Sequence, residues 1–167
     1  MTRATDLPNY ARAFLDAVAV GEAAGANDDA GYSLLFGGGH FLWSDDALVV
    51  LPPGTAIAQP VAAWPPAFPD WGGVIFNGQH TTAAGRYQFE KATYTTTLGG
   101  GPFDPVTQDH QAWTLAVKTR LTLAADLQRG DQATLQAIAG NPLNLQWTSL
   151  SPATFPDRYR AALAALP

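Results

Sequence analysis

The chain of 167 residues contains no cysteine. Disulfide frameworks and thiolate metal sites are therefore excluded, and the fold is indifferent to redox compartment. Charge is scarce as well: 14% of the residues are Asp, Glu, Lys or Arg, and the formal net charge is -5. An acidic chain with few cations offers little to a phosphate backbone, so nucleic acid is not an expected partner. The same balance argues against attachment to an anionic membrane by charge. No stretch of about twenty apolar residues is present, so no membrane span is expected. Arg12 and Asp16 interrupt the amino-terminal region, and no signal peptide is expected there. The three histidines, His40, His80 and His110, lack the paired spacing of a zinc peptidase such as His-Glu-x-x-His. No metal and no cofactor are expected.

What remains is an apolar chain, 47% hydrophobic, long enough to bury a core as one domain spanning 1–167. Residues 9–20 read as an amphipathic helix with Asn9 as its N-cap. Tyr10, Phe14, Ala17 and Val18 share one face, while Arg12 and Asp16 share the other. Glu22 continues the row Phe14, Val18, Glu22, so it should leave the helix at the flank of the buried face. A half-buried carboxyl holds its proton more firmly than a solvated one, as a general acid working near neutral pH requires. Its ordinary alternative is a last-turn residue with no chemical role.

Asn27, Asp28 and Asp29 form a polar turn. Tyr32 to Phe36 reads as a short strand, Gly37-Gly38-Gly39 as a turn, and His40 to Trp43 as the returning strand. Those glycines also leave room for a ligand to approach the backbone. No Gly-Lys-Ser/Thr follows them, so they are not a phosphate loop. Residues 46–79 form a proline-stiffened excursion with six prolines between Pro52 and Pro69. Its Trp64, Phe68 and Trp71 either wall a sugar cleft or pin the loop down.

A second helix is expected from Thr81 or Thr82 to about Tyr94. A third is expected from Asp104-Pro105 to about Gln128, stopping at Gly130. Apolar almost all round, this third helix reads as the buried central one. Asp131 should cap a short helix ending at Gly140. A helical turn containing Trp147 follows, then a last helix with Tyr159, Ala162, Leu163 and Leu166 as its stripe. The expected class is α+β, mainly helical, with a small β-ribbon and a cleft between ribbon and helical lobe.

Several segments, in order, resemble the lambda-type phage endolysins, lysozyme-like lytic transglycosylases of peptidoglycan. They are Phe14-Leu15-Asp16 with Gly21-Glu22, Gly31-Tyr32 through Phe36-Gly37-Gly38 and Phe41, and Ser44-Asp45. They continue with Thr82-Ala83-Ala84-Gly85-Arg86-Tyr87-Gln88-Phe89, Phe103-Asp104-Pro105 with Gln108-Asp109, Arg129-Gly130-Asp131, Ala137-Ile138 and Trp147-Thr148-Ser149-Leu150. The chain departs from that pattern at Gly21 and Ala23, where hydroxyl residues often flank the glutamate, at Asp46-Ala47-Leu48, and in the length of its Pro/Trp excursion.

The resemblance implies a lysozyme-like fold with Glu22 as the catalytic carboxylate. The expected substrate contacts are Tyr32, Gly38, Gly39, His40, Tyr87 and Gln88, with Asp45, Gln108 and Asp109 as a supporting polar shell. It implies cleavage of the glycosidic bond between N-acetylmuramic acid and N-acetylglucosamine with a 1,6-anhydro product. The partners would be glycan strands, met by a monomer made in the cytoplasm and released to the wall by a holin or another route. One alternative is a hydrolytic muramidase with a second acid among Asp28, Asp29, Asp45 and Asp46. The Glu-x8-Asp-x5-Thr spacing of one lysozyme type is absent, since Gly31 stands nine residues after Glu22. A second alternative is a non-catalytic glycan-binding or virion module using Trp64 and Trp71.

Overall fold

The computed structural model describes residues 4–23, 29–58 and 60–167, and of Asp29 the backbone alone. The expected turn at Asn27 and Asp28 lies outside the described residues. The chain is α+β, with about 43% helix and two small antiparallel sheets. Among the described residues, no helix is long and apolar enough to cross a membrane.

The central element is α1, Asn9–Glu22. Ala11, Ala13, Phe14, Leu15, Ala17, Val18 and Ala19 are all buried along it. Its alanines let neighbouring backbones come close. It packs most extensively on α7 (Phe155–Ala164) and also touches α3 (Pro105–Thr119) and α4 (Leu123–Arg129). The Phe14 ring meets Trp113, Trp147 and Phe155 edge-on at 5.9–6.2 Å, a favoured aromatic geometry. Asn9 is not the cap: Pro8 takes that position, and Asn9 is the first helical residue. Its side-chain amide donates instead to the Pro167 carbonyl at 2.9 Å.

The expected long helix from Asp104 is two helices, so α1 and not α3 holds the centre. Asp104 caps α3 as anticipated, accepting from the Thr107 amide at 2.8 Å, with Pro105 at the first turn. The helix then breaks at Arg120, whose backbone is extended, and Leu121 is left 90% exposed. The break lets Arg120 Nε and Thr122 Oγ1 donate to buried Asp126 at 2.9 and 2.8 Å. Gly130 ends α4 in the left-handed conformation, as its lack of a Cβ permits. Asp131 caps α5 (Gln132–Ile138) through the Thr134 amide. A short α6 follows, Leu143–Gln146. On α7 Tyr159 is buried and Ala162 packs on the core, while Leu163 is exposed.

The β-ribbon lies one step later in the chain than expected. Tyr32 closes the single turn α2, Asp29–Tyr32, and does not begin a strand. Leu34 and Leu35 make isolated bridges to His40 and Ala84. The ribbon proper pairs β1 (His40–Ser44) with β2 (Ala47–Leu51) in the register His40↔Leu51 to Ser44↔Ala47. Asp45 and Asp46, with φ of 51° and 59°, make its two-residue turn, a conformation that Asp tolerates better than most residues. A second hairpin joins β3 (Val74–Phe76) to β4 (Gln79–Thr81) through Asn77-Gly78. That dipeptide after an apolar run is a hairpin signal, and it makes this part of the expected excursion a β-hairpin.

The excursion is pinned to the core. Phe68 packs on Phe103 and Tyr94 at 5.0 and 5.7 Å. The Trp71 indole N–H donates to the Thr82 carbonyl at 2.9 Å, and the Phe103 amide donates to the Pro65 carbonyl at 2.9 Å. Trp64 sits edge-on to Tyr32 and Phe41. Residues 82–89 do not open a helix. Gly85 and Gln88 take positive φ, and Ala84 and Phe89 bond each other across a tight reverse turn. A π-helical segment, Thr93–Thr97, comes after it.

Candidate active site

Glu22 is the last residue of α1 and is half-buried. Its Oε1 accepts two hydrogen bonds from Ser149, one from the hydroxyl at 2.6 Å and one from the backbone amide at 3.2 Å. These bonds fix the carboxyl at the wall of a groove of about 410 Å³. Gly37 and Gly38 form part of the same wall system, together with Phe36, Gln88 and Gln146. The glycine turn is exposed and carries positive φ at both residues. A ligand can therefore lie directly on its backbone.

Of the residues expected to touch substrate, Glu22, Gly38 and Gln88 line this groove together. Gln88 is held by a bond from its amide nitrogen to the Gly85 carbonyl at 2.9 Å. Gly39 and His40 are not among the groove's walls. Gly39 is buried where an added Cβ would lie 2.8 Å from the Leu51 carbonyl oxygen, so its smallness serves strand packing. His40 begins β1 and pairs through Nδ1 with the Ser33 hydroxyl at 3.2 Å.

Tyr32 and Tyr87 are buried and belong to a polar knot beneath the turn 84–89. Both hydroxyls donate to Asp109 Oδ1, at 2.8 and 2.6 Å. The guanidinium of Arg86, also buried, donates to the Tyr87 hydroxyl at 2.9 Å and is paired with Asp16. Gln108 completes the knot. Its Oε1 accepts from the Arg86 amide at 3.0 Å, and its Nε2 donates to the Tyr32 and Phe103 carbonyls. The cause is electrostatic: a buried cation is stable only when paired and hydrogen-bonded. Burial would depress the Arg86 pKa, but the Tyr87 and Tyr32 hydroxyls and the Asp16 carboxylate outweigh it and hold the group charged. Burial also pushes the Tyr87 hydroxyl up, which keeps it a donor.

Asp45 sits exposed in the β1–β2 turn, so it is not part of this polar shell. Neither Asp45 nor Asp46 lines the groove. Trp64 and Trp71 do not line it either. Each is half-buried against the core, which removes the pair as an open stacking wall.

Sequence reasoning missed three functional candidates. Ser149 lay unmarked in the run Trp147 to Leu150, although it holds the acid. Gln146 lines the groove from the end of α6. Glu90 lines it as well, beside Thr81. Its carboxylate accepts from the hydroxyls of Thr81 and Thr82 and from the Thr82 amide at 2.9 Å. Partial burial pushes the Glu90 carboxyl up, but those donors prevail and hold it below the ordinary range. No local signal in the sequence ties Glu90 to Glu22, because only the fold brings them to one groove.

A larger hollow of about 560 Å³ lies between α1 and α7, lined by Val20, Arg158 and several alanines. Its one carboxylate, Asp16, is engaged by buried Arg86. It lacks the convergent polar groups that the Glu22 groove offers. The histidines are dispersed: His40 is on Ser33, His80 on the Gly72 carbonyl and His110 on Asp6. Among the described residues, no group of three or more His, Asp or Glu side chains is placed to hold a metal ion.

Compared with protein-family profiles, with characterised proteins and with solved structures, the chain matches none of them.

Proposed function

We propose that this protein cleaves the glycan strands of bacterial peptidoglycan, as a lysozyme-like lytic transglycosylase in which Glu22 is the proton donor. The observation that carries the reading is the placement of Glu22: a carboxyl braced by Ser149, half-buried, on the wall of a groove whose glycine turn leaves backbone open to a ligand. The segments that resemble lambda-type endolysins supply groove residues, including Glu22, Gly37, Gly38 and Gln88. That coincidence supports the resemblance beyond its separate motifs.

Glu22 protonates the oxygen joining N-acetylmuramic acid to N-acetylglucosamine. The C1–O bond breaks, its electron pair goes to the leaving oxygen, and positive charge develops on the muramic acid ring. The 6-hydroxyl of the same sugar attacks C1 and returns its proton to Glu22, closing a 1,6-anhydro ring. The protein acts as a monomer on wall material reached from the cytoplasm by a release route. One observation favours hydrolysis as a second reading: Glu90 gives the groove another carboxylate, as two-acid glycosidases require.

Purified peptidoglycan incubated with the protein, followed by mass spectrometry of the soluble fragments, tests the proposal. Anhydro-muropeptides are the expected product. Reducing-end muramic acid would transfer the assignment to a hydrolase. No soluble fragments at all would overturn the glycan-cleaving reading.

A further inference from the structure

Glu90 comes from a different part of the chain than Glu22, yet both reach the same groove. Its neighbours make it an unusual surface acid. Three donors from Thr81 and Thr82 converge on one exposed carboxylate, and Thr82 Oγ1 in turn accepts from the Lys91 amide at 3.0 Å. A carboxylate so bonded is oriented and stays ionised. Hydrogen bonds, more than any partner charge, hold it ionised. The Lys91 ammonium is turned to Asp70 at 2.8 Å, and His80 on β4 donates a ring N–H to the Gly72 carbonyl at 2.9 Å and contributes only the last and smallest of the favourable effects on Glu90. The groove thus contains two carboxyl groups in different settings, one braced by a single serine and one by two threonines.

We infer that Glu90 is a second catalytic residue, whose fixed negative charge faces the positive centre formed on the sugar ring when the glycosidic bond breaks. This inference rests on the glycan-cleaving reading of the groove. Fixed charge aimed at developing charge is a large catalytic term, typically about 100- to 1000-fold for one group. The role does not depend on the nucleophile. Whether the sugar's 6-hydroxyl or a water molecule attacks C1, Glu22 gives and recovers the proton while Glu90 neither gains nor loses one. Its rival is structural: Glu90 as a latch that holds β4 to the start of the next helical turn.

The two roles separate experimentally. With purified peptidoglycan as substrate, Glu90→Gln should lower kcat/KM by about 100-fold or more, with melting close to that of the wild type. It should also abolish the acidic limb of the pH profile, because that limb reports ionisation of Glu90. Should Glu90→Gln fail to fold, Thr81→Val provides the test. It removes one donor and keeps the charge, so the acidic limb must move to higher pH. Glu90→Gln activity within threefold of the wild type, or an acidic limb unmoved by Thr81→Val, overturns the inference. Glu22→Gln run alongside distinguishes the two levels. If the wild type cleaves, Glu22→Gln does not and Glu90→Gln does, the role of Glu90 alone is lost. If the wild type releases nothing, both readings fall.

Discussion

An ideal Cβ built on Gly21 would lie 2.3 Å from the Ser149 hydroxyl oxygen and 2.4 Å from the Ser149 Cβ. The space that a side chain at 21 would fill is therefore taken by the serine that holds Glu22. This explains in packing terms why a hydroxyl residue is missing just before the glutamate. The hydroxyl arrives from Ser149, more than a hundred residues later in the chain. Two outcomes follow. Ser149→Ala removes one of the two hydrogen bonds that fix the Glu22 carboxyl, commonly about 0.5–1.5 kcal/mol. Turnover should fall up to roughly tenfold with melting lowered by only about 2–4 °C, as steady-state kinetics beside calorimetry would show. Gly21→Ala forces the serine aside and overpacks the helix exit, at a cost of about 1–3 kcal/mol in stability. It should lose more activity than Ser149→Ala. If Gly21→Ala is as stable and as active as the wild type, Ser149 does not brace the acid in the way its contacts indicate.

Elements differed in how much of them the sequence announced. Helix α1 was legible because its apolar spacing is unbroken, and the Asp104 and Asp131 caps were legible because capping is local chemistry. The segment 82–89 was not. Its composition suits a helix, but Gly85 abuts Gln108 and Phe103 so closely that a Cβ there would lie 2.3 Å from Gln108 Oε1. The turn is set by the buried knot around Arg86, a tertiary demand that no window of sequence contains. The same holds at Arg120, where α3 stops so that Asp126 can be ringed by donors. Burial pushes the Asp126 carboxyl up. The bonds from Thr122 and Arg120, with the charges of Arg120 and Arg129, override this and hold it below the ordinary value. A carboxyl depressed in the folded state stabilises above its unfolded pKa, near 4, and that contribution is lost as pH falls through the folded value. Thermal melting followed from about pH 6 to pH 2 should therefore drop more steeply for the wild type than for Asp126→Asn. At neutral pH Asp126→Asn should be less stable by about 1–3 kcal/mol. Parallel acid profiles for the two proteins would show that the break at Arg120 is not held by this carboxylate.

Across the whole molecule, the class α+β and the position of Glu22 at a helix exit were readable from the chain, whereas the groove's membership was read only in part. Tyr32 and Tyr87 resemble cleft residues in sequence, yet their hydroxyls go to Asp109, because a buried arginine needs them more than the surface does. The excursion between β2 and β3 illustrates the same limit. Its aromatics were legible as ordered, but the choice between sugar wall and anchor depends on where Phe103 and Tyr94 lie. With Phe68 serving as anchor, Phe68→Ala should cost about 3–5 kcal/mol and make residues 52–73 sensitive to limited proteolysis. An unchanged digestion pattern would show the excursion held by other contacts. The account as a whole turns on the proton that Glu22 supplies, and its most direct test is the initial rate of peptidoglycan solubilisation by Glu22→Gln beside the wild type, with melting recorded for both. A positioned general acid contributes about 100- to 10,000-fold, so the expected result is a loss of that size with the fold intact. A folded Glu22→Gln protein that solubilises peptidoglycan at a rate within a few-fold of the wild type would contradict it.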